Sequence, residues 1–545
     1  MMRQVVLPSP MEGDTGSASV HALARLVGRP RRTPTTALQT AIVVLLAGLA
    51  AYATLLRLQT ARLWFWIDEG LSVGISSHHL GRIPGLLHQD GSPPLYYLVL
   101  HVWMRLFGRS EAGTHALSLV LAFASIPVAL WLARSLFGPR AGWVAGLLAA
   151  TNPFLTYYGG ETRMYTLMSL VALVATGAFV HAFAFGRRRW VPVFTVALIV
   201  LLYTHNWGLF FALGCVAALV PCVLATADRR TTVVDAAIAF GVAAVAYIPW
   251  LPTLLYQSHH TGAPWSTVPS LREAISEVSS ILGDERVLVA LLLTAGASLG
   301  ASMIEPRSRD GAALLSIGLI FVVPLAAAWL TSQVQPAWAT RYFAMILAPV
   351  LLLAAVGLAR AGALGVAALV LVTLFWVHPL GHITGDRPAD RRDEKSNVKA
   401  AMAGMAPRLG AGDLVVSTQP EQVPVLRYYL GGGLQFATET GAVPDPRLVD
   451  WRDALRRLRA TSPEANLYPM VATMRPGQHL LLVAPVLAPT SKDPTWIHLI
   501  HQRSQEWEKA LGRDPRLRFV TGYGSPTGIV PGTPVYALLF ERLRT

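Results

Sequence analysis

The sequence predicts a polytopic α-helical membrane protein whose C-terminal part is an α/β domain outside the membrane. Of its 545 residues, 53% are hydrophobic and only 14% are charged, which is more apolar surface than a soluble protein of this length can bury. Long apolar runs recur up to residue 380 and then give way to shorter ones. The net charge of +14 comes mainly from arginine clusters between the runs, a pattern that indicates membrane topology and not nucleic-acid binding.

The first apolar run, Ala37–Leu56, contains no charged residue and is long enough to cross a bilayer. Arginines precede it, so residues 1–36, interpreted as a disordered tail, are expected in the cytoplasm. Later arginine clusters fall on the same side, whereas Arg57 and Arg62 fall outside and count against this topology. Eleven spans in total put the C-terminal region outside the plasma (inner) membrane. The ten later spans are predicted at 114–134, 140–158, 164–186, 190–205, 207–227, 232–252, 287–304, 312–331, 341–359 and 362–380.

The segment Pro94–Phe107 is apolar but short for a span. Its polar residues Tyr97, His101 and Arg105 recur every four residues, so they share one face of a helix. This spacing predicts an interfacial helix in the first outer loop (57–113), with Tyr and Arg at the lipid headgroups. Counting the segment as a span would invert the sidedness of all the later arginine clusters.

Residues 381–545 differ from the membrane part (37–380) in charge and in pattern. Short apolar segments alternate with helical stretches, which predicts a soluble α/β domain outside the membrane. The predicted strands include 414–416, 480–483 and 535–539, and the predicted helices include 451–460 and 500–511.

Asp68 and Glu69 form an acidic pair shortly past the outer end of the first span. Carboxylates at a membrane face are costly to bury and are a functional hypothesis by default, although from position alone solvated loop charges are an equal alternative. Other predicted outer segments add polar groups to the same face, namely 152–165, 204–207 and 335–343. The spans themselves hold almost no charge, whereas a proton-coupled transporter is expected to hold acids near the membrane midplane.

An ordered set of motifs resembles the GT-C glycosyltransferases. Within them it is most similar to the protein O-mannosyltransferase and aminoarabinose transferase group, in its bacterial dolichyl-phosphate-mannose-type form. The resemblance covers roughly residues 35–360, and the order of the motifs is more specific than any single one. The motifs are Asp68-Glu69, Pro93–Leu98 (PPLYYL), Leu106–Glu111 (LFGRSE), Pro153–Tyr165 (PFLTYYGGETRMY) and Arg341–Phe343 (RYF).

The resemblance implies a GT-C fold and an inverting transfer from a polyprenyl-phosphate sugar to a hydroxyl acceptor. Asp68 matches the family's catalytic position and would act as general base, while Glu69 would orient or bind. The departing phosphate monoester requires charge neutralisation, and Arg341 and Arg163 are the candidates because a guanidinium can bridge two phosphate oxygens. The other candidate donor-phosphate or substrate-binding residues are Glu161, His205, Tyr165 and Ser92.

Four of these residues have a structural alternative. Arg341 could be an interfacial arginine that snorkels to the headgroups. Arg163 and Glu161 could form a structural ion pair at a helix start, and His205 could cap a helix. Ser92 stands where relatives often have His or Lys near the donor phosphate, which argues against phosphate binding by this segment.

Histidines in the first outer loop raise the question of a metal. His78, His79 and His88 could hold a divalent cation together with Asp68, but their spacing fits no known zinc pattern and oxygen ligands are few. No metal and no other cofactor is therefore expected.

The sequence is interpreted as that of an integral membrane glycosyltransferase with an extracytoplasmic active site. Its expected partners are a polyprenyl-phosphate sugar donor, a hydroxyl acceptor and the bilayer, with no nucleic acid. Mannose transfer to a cell-envelope glycan or glycolipid is the first expectation; transfer to Ser/Thr of secreted proteins, or of another hexose or a pentose, stays open. A transporter or flippase for lipid-linked glycans would show paired repeats and midplane charges, which are not visible here. A scaffold that binds envelope polymers is a third alternative, against which Asp68 argues.

Overall fold

The structure, a computed structural model, describes residues 36–303, 308–383, 395–524 and 534–544. The predicted cytoplasmic tail (1–36) lies outside the described residues except for Thr36, with which the first helix begins. Contacts divide the chain into two units, one that ends at Ala47 and one that starts at Gly48. The described part of the first unit is helical and mostly exposed, and the site described below belongs entirely to the second.

Among the described residues, seven helices are long and apolar enough to cross a membrane. They coincide with seven of the predicted spans, so the polytopic helical membrane fold is confirmed, whereas the count of eleven stays a prediction. The seven helical segments are Ala37–Arg62, Glu111–Phe137, Tyr165–Ala184, Gly208–Ala225, Arg229–His260, Arg309–Ser332 and Thr340–Arg360.

The other four predicted spans are helical but shorter or interrupted. Residues 140–158 form two helices that meet at Asn152, whose side chain accepts a hydrogen bond from Leu155 N and caps the second helix. The span predicted at 190–205 is a helix of 14 residues. The span predicted at 287–304 contains a wider π-type turn, and the one predicted at 362–380 continues to Ile383.

The membrane part contains a series of α-helices. Their bounds are Thr36–Gln59, Ile67–Ser76, Ile83–Leu86, Leu95–Phe107, Glu111–Phe137, Pro139–Thr151, Pro153–Gly159, Tyr165–Phe179, Val191–Thr204, Gly208–Ala225, Arg229–Tyr247, Leu251–His260, Leu271–Ser280, Glu285–Leu291, Ala297–Met303, Arg309–Ser332, Ala344–Arg360 and Gly362–Ile383.

Arg57, which counted against the predicted topology, is not a loop residue. It lies in the last turns of the first helix, and its side chain is fully buried. Its guanidinium donates hydrogen bonds to Thr156 Oγ1 and to the carbonyl oxygens of Ala149 and Ala150. An arginine that is buried and hydrogen-bonded through two of its nitrogens inside the protein says nothing about the side of the membrane, so the objection from Arg57 is removed.

The acidic pair begins a ten-residue helix, Ile67–Ser76, which we call the loop helix. Two glycines one turn apart let this helix approach the α/β domain closely. A Cβ added at Gly70 would lie 2.6 Å from Val425 Cα, and one added at Gly74 would lie 2.2 Å from Arg447 O. These distances are far below van der Waals contact, so only glycine fits at both positions.

The predicted interfacial segment is a helix, Leu95–Phe107, but its polar face is not directed as expected. Tyr97 and His101 are buried and hydrogen-bonded inside the protein, Tyr97 to Asp90 and His101 to Ser76 O. Only Arg105 is exposed. The prediction of Tyr97 at the lipid headgroups is therefore wrong, because the hydroxyl has an internal carboxylate partner that helical spacing cannot reveal.

The C-terminal part contains the predicted α/β domain. A six-stranded sheet has the order β3-β2-β1-β4-β6-β5, with β1 parallel to β2 and β4 and the remaining pairs antiparallel. The strands are β1 Leu414–Ser417, β2 Gln435–Thr438, β3 Gly441–Ala442, β4 His479–Pro485, β5 Leu517–Tyr523 and β6 Val535–Arg542; the α-helices are Val398–Met405, Val423–Leu430, Ala454–Arg459, Tyr468–Thr473 and Thr495–Arg513.

The core of this domain lies between the sheet and its longest helix. Buried residues of β1 and β4, such as Val416 and Leu482, pack in one cluster with Trp507 and Leu511 of the helix Thr495–Arg513. The predicted strands at 414–416, 480–483 and 535–539 are all present, and the predicted helix at 500–511 is found within a longer one. The domain boundary placed at 380/381 stays a prediction, although helix Gly362–Ile383 extends three residues beyond it.

Candidate active site

A cavity of about 360 Å³ lies where the first outer loop, the ends of membrane helices and the α/β domain meet. Five of the eight predicted site residues line it: Asp68, Ser92, Arg163, His205 and Arg341. The other three, Glu69, Glu161 and Tyr165, lie behind its wall.

Asp68 lies in the first turn of the loop helix, where the helix dipole favours a carboxylate. Its side chain is 19% exposed, and its Oδ2 lies 3.7 Å from Nε of Arg163. Neither of these two atoms has a hydrogen-bond partner among the described residues. An acid that is accessible, close to a cation and not fully hydrogen-bonded can still accept a proton from a bound molecule.

Arg163 is held in place from several sides. Its Nη1 donates to Ser72 Oγ at 3.2 Å and contacts Asp68 O at 3.5 Å, and its Nη2 lies 3.4 Å from the hydroxyl of Tyr165. Tyr165 is fully buried and so serves as a support for Arg163 within the wall. The guanidinium is thereby pre-oriented toward the cavity, a condition for binding an anion without loss of side-chain entropy.

Arg341 belongs to the short 3₁₀ turn Thr340–Phe343 and lines the cavity. Its guanidinium carbon lies 4.6 Å from the ring centroid of Trp265 and 5.4 Å from that of Tyr342. Such stacking over aromatic rings fixes the plane of the guanidinium while its N–H groups stay available in that plane. The alternative of an arginine snorkelling to the headgroups does not describe this position.

His205 directly follows helix Val191–Thr204, and it both stabilises the end of this helix and lines the cavity. Its Nδ1 accepts a hydrogen bond from Trp207 N at 3.1 Å, so it stabilises the turn after the helix. Its ring also lines the cavity and packs against Tyr342 at 4.6 Å between centroids.

Ser92 and Asp90 both line the cavity, and Asp90 brings a second carboxylate to it. Asp90 Oδ2 accepts a hydrogen bond from the Tyr97 hydroxyl at 3.2 Å. Burial raises the pKa of Asp90 above its ordinary value, against the lowering effects of Arg163 and of hydrogen bonds from Ser92 and Tyr97. Asp90 was visible in the sequence as one of several polar residues of the outer loop, but no motif distinguished it.

Glu69 lies outside the cavity, although it is adjacent to Asp68 in sequence. Its fully buried carboxylate is bonded to His115 Nε2 at 2.6 Å and accepts hydrogen bonds from Thr162 N at 2.8 Å and Trp66 N at 3.3 Å. Burial alone would raise the pKa of Glu69, but the charges of His115 and Lys395 and these hydrogen bonds lower it overall. A carboxylate with three internal partners anchors the start of the loop helix and so positions Asp68.

Glu161 is also buried, and its partner is not Arg163. Its Oε1 lies 3.2 Å from Nζ of Lys395, which also donates to Gly160 O at 3.3 Å and lies 4.9 Å from the ring centroid of Tyr157. The alternative of a Glu161–Arg163 ion pair is therefore wrong, because each side chain has a different partner of opposite charge. Lys395 was not foreseen, since it is far from Glu161 along the chain and belongs to a segment without a recognised motif.

The α/β domain supplies two further cavity residues, Glu421 and Trp451, that sequence reasoning missed. Glu421 is 8% exposed, and its Oε1 accepts a hydrogen bond from Trp496 Nε1 at 2.8 Å. Trp451 is fixed to the first outer loop, because its backbone N–H donates to Gln89 O at 2.9 Å. No local pattern marks either residue, and only the packing of the domain on the loop brings them to the cavity.

Two of the three histidines considered for a metal have hydrogen-bond partners elsewhere in the structure. His78 Nε2 bonds to Asp445 Oδ2 of the α/β domain at 2.6 Å, and His88 Nε2 lies 3.2 Å from Thr253 Oγ1. Within the described ranges, no group of three or more His, Cys, Asp or Glu side chains could hold a metal ion.

The chain thus combines a bundle of membrane helices, an outer loop that carries an acidic pair and an α/β domain that lines the cavity with them. Comparison with solved structures confirms the predicted GT-C fold. ArnT from Cupriavidus metallidurans is similar over 92% of this chain and 98% of its own, at 16% identity, with TM-scores of 0.60 in the apo state and 0.58 bound to undecaprenyl phosphate. At this level of identity the likeness concerns the fold.

Two other solved structures share the architecture more loosely. The archaeal oligosaccharyltransferase AglB from Archaeoglobus fulgidus, in complex with an inhibitory peptide and a dolichol-phosphate, has a TM-score of 0.51 at 12% identity, over 94% of this chain and 75% of its own. Arabinofuranosyltransferase AftD from Mycobacteria has a TM-score of 0.51 at 16% identity, over 92% of this chain and 40% of its own. No family model matches the chain. No curated protein matches its sequence.

Proposed function

We propose that this protein is an inverting glycosyltransferase that moves a sugar from a polyprenyl-phosphate donor to a hydroxyl of an extracytoplasmic acceptor. The observation that carries the proposal is one cavity that contains the accessible carboxylate of Asp68 beside the guanidinium groups of Arg163 and Arg341. The neighbours support it: ArnT was solved with undecaprenyl phosphate and AglB with a dolichol-phosphate.

Asp68 is the proposed general base. A sugar or Ser/Thr hydroxyl is a poor nucleophile, and a carboxylate within hydrogen-bond reach can take its proton as the oxygen attacks. The new bond forms between that oxygen and the anomeric carbon while the bond from the anomeric carbon to the phosphate oxygen breaks. The electron pair leaves with the phosphate, and attack opposite the leaving group inverts the anomeric centre.

Arg163 and Arg341 are the proposed partners of the phosphate. The leaving group departs as a phosphate monoester anion, which requires neutralisation of charge and not a proton. The Nε atoms of both arginines are buried and have no hydrogen-bond partner among the described residues. A buried unsatisfied donor is costly, and a bound phosphate oxygen would relieve that cost at the point where negative charge develops.

Ser92 and His205 are proposed to contact the donor or acceptor from the cavity wall. Glu69, Glu161 and Tyr165 are proposed to act indirectly, since they hold the loop helix and Arg163 in place. Mannose is the proposed sugar and a cell-envelope glycan or glycolipid the proposed acceptor, with the cavity on the outer side of the plasma membrane. No metal is assigned to the reaction.

The test is sugar transfer by purified protein in liposomes, with polyprenyl-phosphate mannose offered beside polyprenyl-phosphate glucose and arabinose and with extracted envelope glycolipids as acceptors. We expect transfer or slow hydrolysis of one donor and its loss in Asp68→Asn, while Glu464→Gln, on the exposed surface of the α/β domain, retains it. Turnover that survives in Asp68→Asn would contradict the assigned base. Absence of turnover with every donor would contradict the proposed reaction.

A further inference from the structure

We propose that Glu421 and Trp451 of the α/β domain form the acceptor subsite of this cavity and that they select a neutral, hydroxyl-rich glycan. The inference rests on the proposed function and specifies which part of the molecule recognises the acceptor. It starts from the position of both residues in the wall of the cavity that contains Asp68.

The sheet topology explains why Glu421 is found there. Strand β1 pairs in parallel with β2 on one side and β4 on the other, so the strand order reverses direction at β1. Ligands of open α/β sheets bind beyond the carboxyl ends of the strands at such a reversal. Glu421 follows the carboxyl end of β1, and Glu439 directly follows that of β2. The domain therefore presents its usual binding edge to the cavity.

The carboxylate of Glu421 is only partly satisfied by the protein. Trp496 Nε1 donates to its Oε1, whereas its Oε2 has no hydrogen-bond partner among the described residues. Burial, with a smaller contribution from the charge of Asp68, raises the pKa of Glu421 to about 7. A carboxyl group with one free oxygen in a cavity wall is suited to accept a hydrogen bond from a sugar hydroxyl.

Trp451 adds an aromatic surface at the same place. Its ring packs against Trp496 with 5.7 Å between centroids, so Glu421, Trp496 and Trp451 form one connected group. The hydrogen bond from Trp451 N to Gln89 O fixes this group next to Asp90 of the outer loop. Indole rings provide the flat apolar surface against which the C–H face of a sugar ring packs.

The charges of the cavity indicate which acceptors this subsite accepts. Asp68, Asp90 and Glu421 all line the cavity, and the phosphate of the donor is expected to occupy the two arginines. With its cations engaged, the cavity repels a further anionic group, because that group would lie beside the charge of Asp68 and the donor phosphate in a poorly solvated site, where like charges are strongly unfavourable. Burial, which raises the pKa of Asp90 and of Glu421, shows that this cavity already disfavours additional negative charge. A neutral glycan is not subject to this repulsion.

The direct test measures binding of alkyl glycosides to the full-length protein in nanodiscs by ligand-observed NMR, with undecaprenyl phosphate present in excess. Octyl mannoside and octyl glucoside serve as neutral probes and octyl glucuronide as the anionic probe. We expect the glucuronide to bind at least about tenfold more weakly than the neutral probes. Glu421→Gln should weaken neutral probes about fivefold to tenfold and narrow this discrimination.

Matched variants separate recognition from a loss of folding. The amide oxygen introduced by Glu421→Gln would still accept the hydrogen bond from Trp496, so this variant is expected to fold, and Trp451→Phe keeps an aromatic ring of smaller area. Glu464→Gln removes an exposed carboxylate of the same domain and should bind all probes as the wild type does. Equal binding of charged and neutral probes, or unchanged affinity in both Glu421→Gln and Trp451→Phe, would overturn the proposal.

The same variants in the transfer assay distinguish this inference from the proposed function. In Glu421→Gln we expect the ratio of transfer to donor hydrolysis to fall about tenfold, through a higher KM for the acceptor. Donor hydrolysis by the wild type with an unchanged acceptor KM in Glu421→Gln would refute the acceptor subsite alone. Failure of the wild type to process any donor would refute the proposed function, while the binding test still decides whether the subsite exists.

Discussion

Asp68 and Glu69 are adjacent in sequence but belong to two different regions of the molecule. Asp68 lines a cavity, is 19% exposed and keeps an oxygen without a hydrogen-bond partner among the described residues. Glu69 is fully buried and bonded to His115, Thr162 and Trp66. The comparison teaches that one turn of helix can divide a pair of like residues between chemistry and architecture, because its successive positions face different surroundings.

The two regions differ in how their charges are balanced. In the cavity, Asp68 faces Arg163 at 3.7 Å, and the arginines have unsatisfied N–H groups that a substrate could occupy. Behind the wall, Glu69 and Glu161 face His115 and Lys395 at hydrogen-bonding or ion-pair distance without access to solvent. We expect substitutions in the cavity to lower activity at nearly constant stability. Substitutions behind the wall are expected mainly to lower stability.

The largest difference is expected between Asp68→Asn and Glu69→Gln. Asn cannot accept the proton of the attacking hydroxyl, so kcat should fall by about 10²- to 10⁴-fold with little change in the apparent thermal midpoint. Glu69→Gln removes a buried charge that is paired with His115 and should lower the midpoint by several degrees, at a cost of roughly 3 kcal/mol. Transfer kinetics and thermal unfolding in detergent provide both readouts.

The pH dependence sharpens this first comparison. The pKa of Glu69 is lowered in the folded protein, so its stabilising effect is present above the ordinary pKa of a carboxyl group and is lost as pH falls through the lowered value. Glu69→Gln should thus destabilise the protein most at neutral pH and least under acidic conditions. If Asp68→Asn unfolded the protein while Glu69→Gln left its stability unchanged, the assignment of the two roles would have to be exchanged.

Lys395 tests the region behind the wall. Lys395→Met would leave the buried carboxylate of Glu161 without its ion-pair partner, which should cost about 3 kcal/mol in the free energy of unfolding. Adding Glu161→Gln should recover part of that loss, because the unpaired charge is then removed as well. Thermal midpoints of both single variants and the double variant measure the coupling. Strictly additive effects would show that the pair contributes nothing.

Substitution of Arg341 tests the role of the cavity in donor binding, and its expected effect is smaller than those above. Arg341→Gln should raise the KM for the donor about 30-fold, equivalent to about 2 kcal/mol, since a charge-assisted contact to phosphate is lost. Arg341→Lys retains the charge but lacks the planar group stacked on Trp265, so only part of the affinity should return. Arg62→Gln, at an exposed arginine that does not line the cavity, is the matched control. A donor KM equal to that of the wild type in Arg341→Gln would remove Arg341 from the phosphate site.

Sequence reasoning succeeded where the signal is local or ordered along the chain. Apolar runs predicted the membrane helices, and short apolar segments predicted β1, β4 and β6. The motif that contains Asp68 predicted a residue that the structure places in the cavity. The interpretation of Arg57 as an outer-side charge was wrong, because it used only the position of this residue at the end of an apolar run. Its burial depends on Ala149, Ala150 and Thr156 of a different helix pair.

The contributions of distant segments could not be predicted. Lys395, Glu421 and Trp451 lie in a part of the chain that carried no recognised motif. Lys395 pairs with Glu161, which is far away along the chain, and Glu421 and Trp451 line the cavity only because the α/β domain packs on the outer loop. The close approach at Gly70 and Gly74 makes that packing possible, yet two glycines in one short helix are not by themselves a docking signal. Predicting such contacts requires the relative placement of domains, which helical periodicity does not contain.

Glu439, in the α/β domain, provides the test with the smallest expected effect. It is fully buried, neither of its oxygens has a hydrogen-bond partner among the described residues, and burial together with the charge of Glu421 raises its pKa to about 8. A raised pKa means that the folded state holds its proton to higher pH than the unfolded chain, so stability falls as pH increases from the ordinary carboxyl range to about 8.

Glu439→Gln has no proton to lose, and its thermal midpoint should exceed that of the wild type by about 1–3 °C at pH 8 and equal it at pH 5. Glu464→Gln, an exposed carboxylate, should show neither difference. The same midpoint in wild type and Glu439→Gln at both pH values would mean that Glu439 finds a partner in solution, and Glu439 would then resemble the hydrogen-bonded Glu69 and not the partly unsatisfied Asp68.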